Sequence, residues 1–277
     1  MIRLGALLLV LGAVTALENG VARTPPMGWS TWNKLKCNFN EQTLLDVARA
    51  LNESGMVAAG FQTLNIDDCW PTKQRGADGA IVPDPKKFPR GMRAFSDDLA
   101  QYGLGLGIYT AHGNLTCQSY PGSYGYEEAD ARAYASWNVR FVKNDWCTCH
   151  PGKPAVPDLP AFDALRDALN RTGKPMVYSV HWNYALTKGP TCAKGVSCPL
   201  PDVANMWRIG GDIGPNWNSV LQLIDIDTPL ATNAGPGRWN DADMLEVGNG
   251  MSEDQDRAHM TMWAMLASPL VARMASS

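Results

Sequence analysis

Two acids in this sequence stand where acid/base chemistry could use them. Asp145 ends an apolar run two residues after Lys143, and Asp212 follows Arg208 across a flexible Gly210-Gly211. A cation that close favours the ionised carboxylate and leaves it able to attack, or to stabilise, a positive centre. Two carboxylates held across a pocket are the equipment for glycoside cleavage, one as nucleophile and the other as acid and then base. The competing reading makes each an ion-pair partner at a loop start, and Lys143 leaves open a Schiff-base aldolase or isomerase. Other apolar runs also end in acids: Asp67 and Asp68 close one, Asp241 and Asp243 another. Carboxylates there are costly unless paired, hydrogen-bonded or used. Cys147-Thr148-Cys149-His150 suggests a metal, but no second Cys/His pair has zinc-like spacing, so no metal is expected.

The elements that must position these groups alternate regularly. Strand patterns cover Met27–Thr31, Phe61–Asp67, Leu104–Thr110, Arg140–Asp145, Pro175–His181, Met206–Asp212 and Arg238–Leu245, with an eighth begun at Pro269–Arg273. Helical patterns lie between them. Glu41–Ala59 follows the candidate N-cap Asn40 and puts Leu44, Leu45, Ala48 and Leu51 on one face. Met92–Tyr102, Glu127–Trp137, Ala161–Asn170 and Asn218–Ile226 follow, and Ser252-Glu253-Asp254-Gln255 is a capping box opening a helix to about Leu266. Alternation of this kind predicts an α/β fold, a (β/α)8 TIM barrel whose functional groups gather at the carboxyl ends of the strands. An open doubly wound sheet would carry a Gly-rich loop after its first strand. Here that turn reads Ser30-Thr31-Trp32-Asn33, and Gly103–Gly107 lies within a strand pattern. The chain reads as truncated at the eighth strand.

The 277 residues, 45% hydrophobic, can build a sizeable core. A net charge of −3 without basic runs points away from nucleic acid and anionic membranes as partners. Ten Trp and eight Tyr fill a core, and a few of them could stack on sugar faces. Arg3, the apolar Leu4–Leu17 and the small-residue site at Val14-Thr15-Ala16 read as a secretory signal peptide over 1–17, with a catalytic domain over 18–277. Sequons at Asn52, Asn114 and Asn170 agree with export, and seven cysteines then imply disulfides with at least one thiol left over.

Thr24-Pro25-Pro26-Met27-Gly28-Trp29-Ser30-Thr31-Trp32, Asn65-Ile66-Asp67-Asp68-Cys69-Trp70, Gly105–Tyr109, Lys143-x-Asp145 and Trp239–Gly248 occur in this order. Together they resemble the α-galactosidase (melibiase) family of retaining glycoside hydrolases, related to α-N-acetylgalactosaminidase, over residues 24–273. The resemblance implies a (β/α)8 barrel followed by a small antiparallel β domain, and no such domain is expected within these residues. It makes Asp145 the nucleophile and Asp212 the acid/base. Trp32 would pack on the sugar ring, Asp67 and Asp68 would accept from its C4 and C6 hydroxyls, and Lys143, Tyr109 and Arg208 would complete the sugar site. Asp241 and Asp243 would support the fold around that site. It also implies the disulfides Cys37–Cys69 and Cys117–Cys147, while spacing suggests Cys192–Cys198 and a free Cys149.

One stretch departs from the family pattern. The fifth strand usually ends in a Cys, an acid or amide, and a Trp that together contact the C2 hydroxyl. Here it reads Tyr178-Ser179-Val180-His181-Trp182, which leaves His181 as either a sugar ligand or a buried structural imidazole. His112 belongs near the mouth, and His150 and His259 on the surface or a helix. The expected function is a secreted or lysosomal/vacuolar exo-glycosidase that removes terminal α-D-galactose from oligosaccharides or glycoconjugates without a cofactor. The alternatives are an α-N-acetylgalactosaminidase, a β-L-arabinopyranosidase and a non-catalytic glycan-binding fragment. Homodimerisation stays open.

Overall fold

The structure, a computed structural model, describes residues 19–147, 158–182 and 200–273. The expected signal peptide and the expectations for Cys149, His150, Cys192 and Cys198 lie outside the described residues.

Among the described residues eight parallel strands form one sheet in the order β7-β6-β5-β4-β3-β2-β1-β8. They are β1 (Met27–Ser30), β2 (Thr63–Asn65), β3 (Gly105–Ala111), β4 (Val139–Asp145), β5 (Val177–His181), β6 (Met206–Arg208), β7 (Trp239–Asp241) and β8 (Leu270–Ala272). The short eighth strand pairs with β1, Gly28 opposite Val271. The seam between β7 and β8 is bridged beyond the β7 ladder, where Leu245 N–H donates to Val271 O at 2.9 Å. The sequence places a strand at each observed position, but β2, β6 and β7 are shorter than their patterns. Their last residues leave the ladder and turn toward the mouth, which frees those side chains for the site. Cys69 and Asp243 make these turns at φ of +77° and +78°, conformations that cost non-glycine residues energy and recur at functional sites.

Helices α1 (Trp32–Leu35), α2 (Glu41–Glu53), α3 (Gly91–Gln101), α4 (Glu127–Ser136), α5 (Asp158–Arg171), α6 (Leu200–Val203), α7 (Trp217–Asp227) and α8 (Glu253–Leu266) connect the strands. Asn40 caps α2 as expected, accepting from Thr43 N–H at 2.9 Å, and Ser252 and Gln255 form the capping box of α8. Helix α2 stops at Glu53, short of Ala59, because Gly55 takes φ +82° just beyond the Ser54 cap. Its Leu44, Ala48 and Leu51 are buried, with Leu45 at the margin. Burying one such leucine is worth about 1.5–3 kcal/mol. Inside the barrel Gly107 is required, because a Cβ there would overlap the Asn65 side chain of the neighbouring strand.

The two ends of the barrel are built differently. At the amino ends of the strands, residues from Asn19 onward pack against the sheet through neutral hydrogen bonds. Asn19 Nδ2 donates to Met176 O, and Trp239 Nε1 donates to Ala22 O. At the carboxyl ends the ionisable groups collect, held by two disulfides. Cys37–Cys69 ties the segment after β1 to the end of β2, and Cys117–Cys147 ties the loop after β3 to the segment after β4. Each bridge should stabilise the fold by roughly 2–4 kcal/mol, by restricting the unfolded chain.

Candidate active site

At that carboxyl face a cavity of about 320 Å³ is lined by Trp32, Asp67, Asp68, Tyr109, Lys143, Asp145, His181, Arg208 and Asp212, which are all the sugar-site and catalytic residues expected from the sequence. Asn33, Lys36, Cys117, Trp146, Ile213, Asp243 and Met244 complete the lining.

Asp145 ends β4 and is buried. Its Oδ1 accepts from Trp146 N–H at 2.7 Å and lies 2.8 Å from His181 Nδ1, and its Oδ2 accepts from the Tyr109 hydroxyl at 2.9 Å. Burial by itself would raise this carboxyl, but His181, Lys143 and the Tyr109 hydroxyl outweigh it and hold Asp145 well below the ordinary carboxylate range. Lys143 donates to Asp67 Oδ2 at 2.8 Å. Burial works against its charge too, yet Asp67 and Asp145 raise the ammonium above its usual value. The Tyr109 phenol is pushed well up by burial and then by Asp145, so it stays a donor. These side chains share a face because β3 and β4 pair Tyr109 with Lys143, and β4 and β5 pair Asp145 with His181.

Asp67 and Asp68 are both buried but differently engaged. Asp67 accepts from Lys143 and from Asp68 N–H, which leaves about half of its acceptor sites open. Asp68 accepts from Cys69 N–H at 2.7 Å, the Thr116 hydroxyl at 2.8 Å and Gln118 N–H at 2.8 Å. Burial still raises it, against those donors. Asp68 thus anchors the loop after β3 and keeps about one acceptor position for a ligand.

Asp212 is set up in the opposite way. Its side chain is 77% exposed, and among the described residues its one ion pair is a 3.3 Å contact with Arg208 Nη2. Arg208 is buried and committed elsewhere, donating to Gly211 O at 2.6 Å and lying 2.8 Å from Asp243 Oδ2. Asp243 also accepts from Ile213 N–H at 2.8 Å, so it holds both neighbours of the Asp212 turn. Asp241 accepts from Asp243 N–H at 2.9 Å; burial raises it, with Arg208 opposing. The supporting role expected for Asp241 and Asp243 is what the geometry displays, and Asp243 reaches the cavity wall as well.

His112 packs on Phe162 with its ring centroid 4.9 Å away, and its Nδ1 lies 3.1 Å from Asp145 O, so it fixes backbone beneath the mouth. His259 sits on α8 but is fully buried against Trp263. Two features of the rim have no clear local signal. Lys36 Nζ stands 4.8 Å over the Trp32 ring, beside the cavity. Glu246 joins Asn33 to Arg273, whose Nη1 is 3.2 Å away, so the segments after β7, β1 and β8 are locked together. Glu246 lies within the Trp239–Gly248 motif, and an acid among apolar neighbours was the only hint of its buried role.

The family model described as alpha galactosidase A matches residues 24–276. The alpha-galactosidase A of Cellvibrio japonicus is 43% identical over 96% of this chain and 68% of its own length. The alpha-N-acetylgalactosaminidase of Gallus gallus is 41% identical over 92% of the chain and 65% of its own length. Among solved structures, alpha-galactosidase I from Mortierella vinacea superposes with a TM-score of 0.82 at 38% identity, covering 93% of this chain and 68% of that one. This chain therefore spans about two thirds of the length of these relatives. The barrel, the order of its motifs and these likenesses agree: the chain belongs to the α-galactosidase (melibiase) family of glycoside hydrolases.

Proposed function

We propose that this chain is a retaining exo-glycosidase that removes terminal α-D-galactosyl residues from oligosaccharides or glycoconjugates. The observation that carries the reading is the pairing, in one cavity, of a buried carboxylate held ionised and a second carboxyl that stands mostly in solvent with a 3.3 Å contact to Arg208. Asp145 attacks the anomeric carbon and forms the ester bond. The glycosidic C–O bond breaks, and the leaving oxygen takes the proton of Asp212. Asp212, now a carboxylate, removes a proton from water. That water attacks the same carbon and breaks the ester, releasing the sugar with its original configuration. Trp32 offers the sugar an apolar face, while Asp67, the remaining acceptor of Asp68, Lys143, Tyr109, Arg208 and His181 meet its hydroxyls. Buried polar groups of this kind discriminate epimers, because a misplaced hydroxyl leaves one of them unpaired.

A second reading, hydrolysis of α-N-acetylgalactosaminides, is supported by the 41% identity to the Gallus gallus protein. Nitrophenyl α-galactoside, α-N-acetylgalactosaminide and β-L-arabinopyranoside assayed side by side separate the sugars, and NMR of the first-formed product reads its anomer. An inverted product, or no turnover of any of the three, would overturn the proposal. Entry into the secretory pathway fits two disulfides on the catalytic face, which persist in oxidising compartments. No helix among the described residues is long and apolar enough to cross a membrane.

A further inference from the structure

The ladder between β4 and β5 places Asp145 directly opposite His181, so both side chains leave the strand ends on the same face. The result is the 2.8 Å approach of Nδ1 to Asp145 Oδ1. A carboxylate only accepts, so Nδ1 carries the hydrogen in this contact. Oδ1 then has two donors, His181 and Trp146 N–H, while Oδ2 has one, the Tyr109 hydroxyl. One lone pair of Oδ2 is left uncommitted at the cavity.

We infer that His181 is a positioning residue for the nucleophile: its Nδ1–H ties down Oδ1, leaving Oδ2 to bond the anomeric carbon. Oδ1 then becomes the carbonyl oxygen of the ester. The inference rests on the reading of Asp145 as nucleophile. The other charged and titratable groups around Asp145 are Tyr109 from β3, Lys143 on its own strand and Arg208 from β6, with Asp67 beyond Lys143, Asp212 in the same cavity lining and His112 against the Asp145 backbone oxygen. Of these, His181 and Tyr109 touch the carboxyl oxygens. Ester formation neutralises Asp145, and both contacts weaken from charge-assisted to ordinary hydrogen bonds. The value of His181 therefore lies in placing the carboxylate and keeping it ionised in acid, rather than in a bond that strengthens along the reaction.

His181→Leu removes the donor, whereas His181→Asn keeps an N–H close to the position of Nδ1. Two readouts apply to each full-length variant. One is the pH profile of kcat/KM on nitrophenyl α-galactoside. The other is the pH dependence of carbodiimide labelling at Asp145, read by peptide mass spectrometry, which needs no turnover. His181→Leu should lose about 10- to 100-fold in kcat/KM, the loss expected for a hydrogen bond to a charged group. Its acid limb and its labelling midpoint should both move up by about one pH unit. His181→Asn should recover most of the rate and keep the wild-type midpoint. A His181→Leu protein with native circular dichroism and an unmoved labelling midpoint overturns the inference, as does His181→Asn behaving like His181→Leu. Wild type inactive on every α-glycoside would overturn the functional reading, and the labelling curves would still decide the role of His181.

Discussion

The ends of β4 and β6 each present an aspartate to one cavity, and the chain treats the two in opposite ways. Asp145 is clamped by donors from three directions, whereas Asp212 stands mostly in solvent with one long contact to Arg208. A nucleophile must stay ionised and hold its aim, so fixed donors around it serve the reaction. An acid/base must lose and regain a proton in each cycle, and a strong fixed partner would hold it in one state. Rigidity at the β6 end is placed behind Asp212 instead, where Asp243 holds Arg208 and Ile213 N–H. The same residue type suits the two proposed roles because its surroundings differ.

The severest test of that contrast is Asp145→Asn, which keeps the shape but cannot attack. It should reduce turnover on the order of 10⁴-fold or more on every substrate, however good the leaving group. Asp212→Asn should lose about 10²- to 10⁴-fold on natural glycosides. On a nitrophenyl glycoside, which needs no proton to leave, it should show a burst of nitrophenol before slow deglycosylation. Equal losses on both substrate types would remove the distinction between the two ends. Asp243→Asn leaves the buried Arg208 without its charged partner and should destabilise the fold by about 3–5 kcal/mol in urea unfolding. In the folded fraction the damage should fall on steps that use Asp212, leaving the Asp145 labelling midpoint unchanged.

The smallest effect lies away from the mouth and tests whether acid inactivation belongs to Asp145 at all. Burial lowers His259 from 6.5 to about 4. Folding thus favours its neutral form, and as pH falls below 6.5 the unfolded chain gains a proton that the folded chain refuses until about pH 4. Up to about 3 kcal/mol of stability is lost across that window. Urea unfolding at pH 7 and pH 4.5 should show the decline in wild type and much less of it in His259→Leu. If the acid limb of activity moves with His259→Leu, stability and not the nucleophile sets it.

Much of this was legible in the residues. The caps at Asn40 and Ser252, the eight strand positions and the acids at strand ends all follow from short-range rules of period and local hydrogen bonding. The motif resemblance also named the two disulfides found among the described residues. The partners of the acids were not legible. His181 meets Asp145 across a ladder between strands 36 residues apart in sequence, and a shift of one residue would have turned its side chain to the other face. Asp243 reaches Arg208 only because its backbone turns at positive φ just past β7. Asp68 is nearly saturated by a loop almost fifty residues away, which leaves it fewer open acceptor sites than Asp67.

The sequence by itself therefore determined the barrel, the family and which acids stand at the rim, because these depend on patterns read along the chain. Tertiary structure decided which acid is enclosed by donors and held ionised and which stands in solvent. Charge and hydrogen bonding act through space over a few ångströms, and strand register together with burial set those distances.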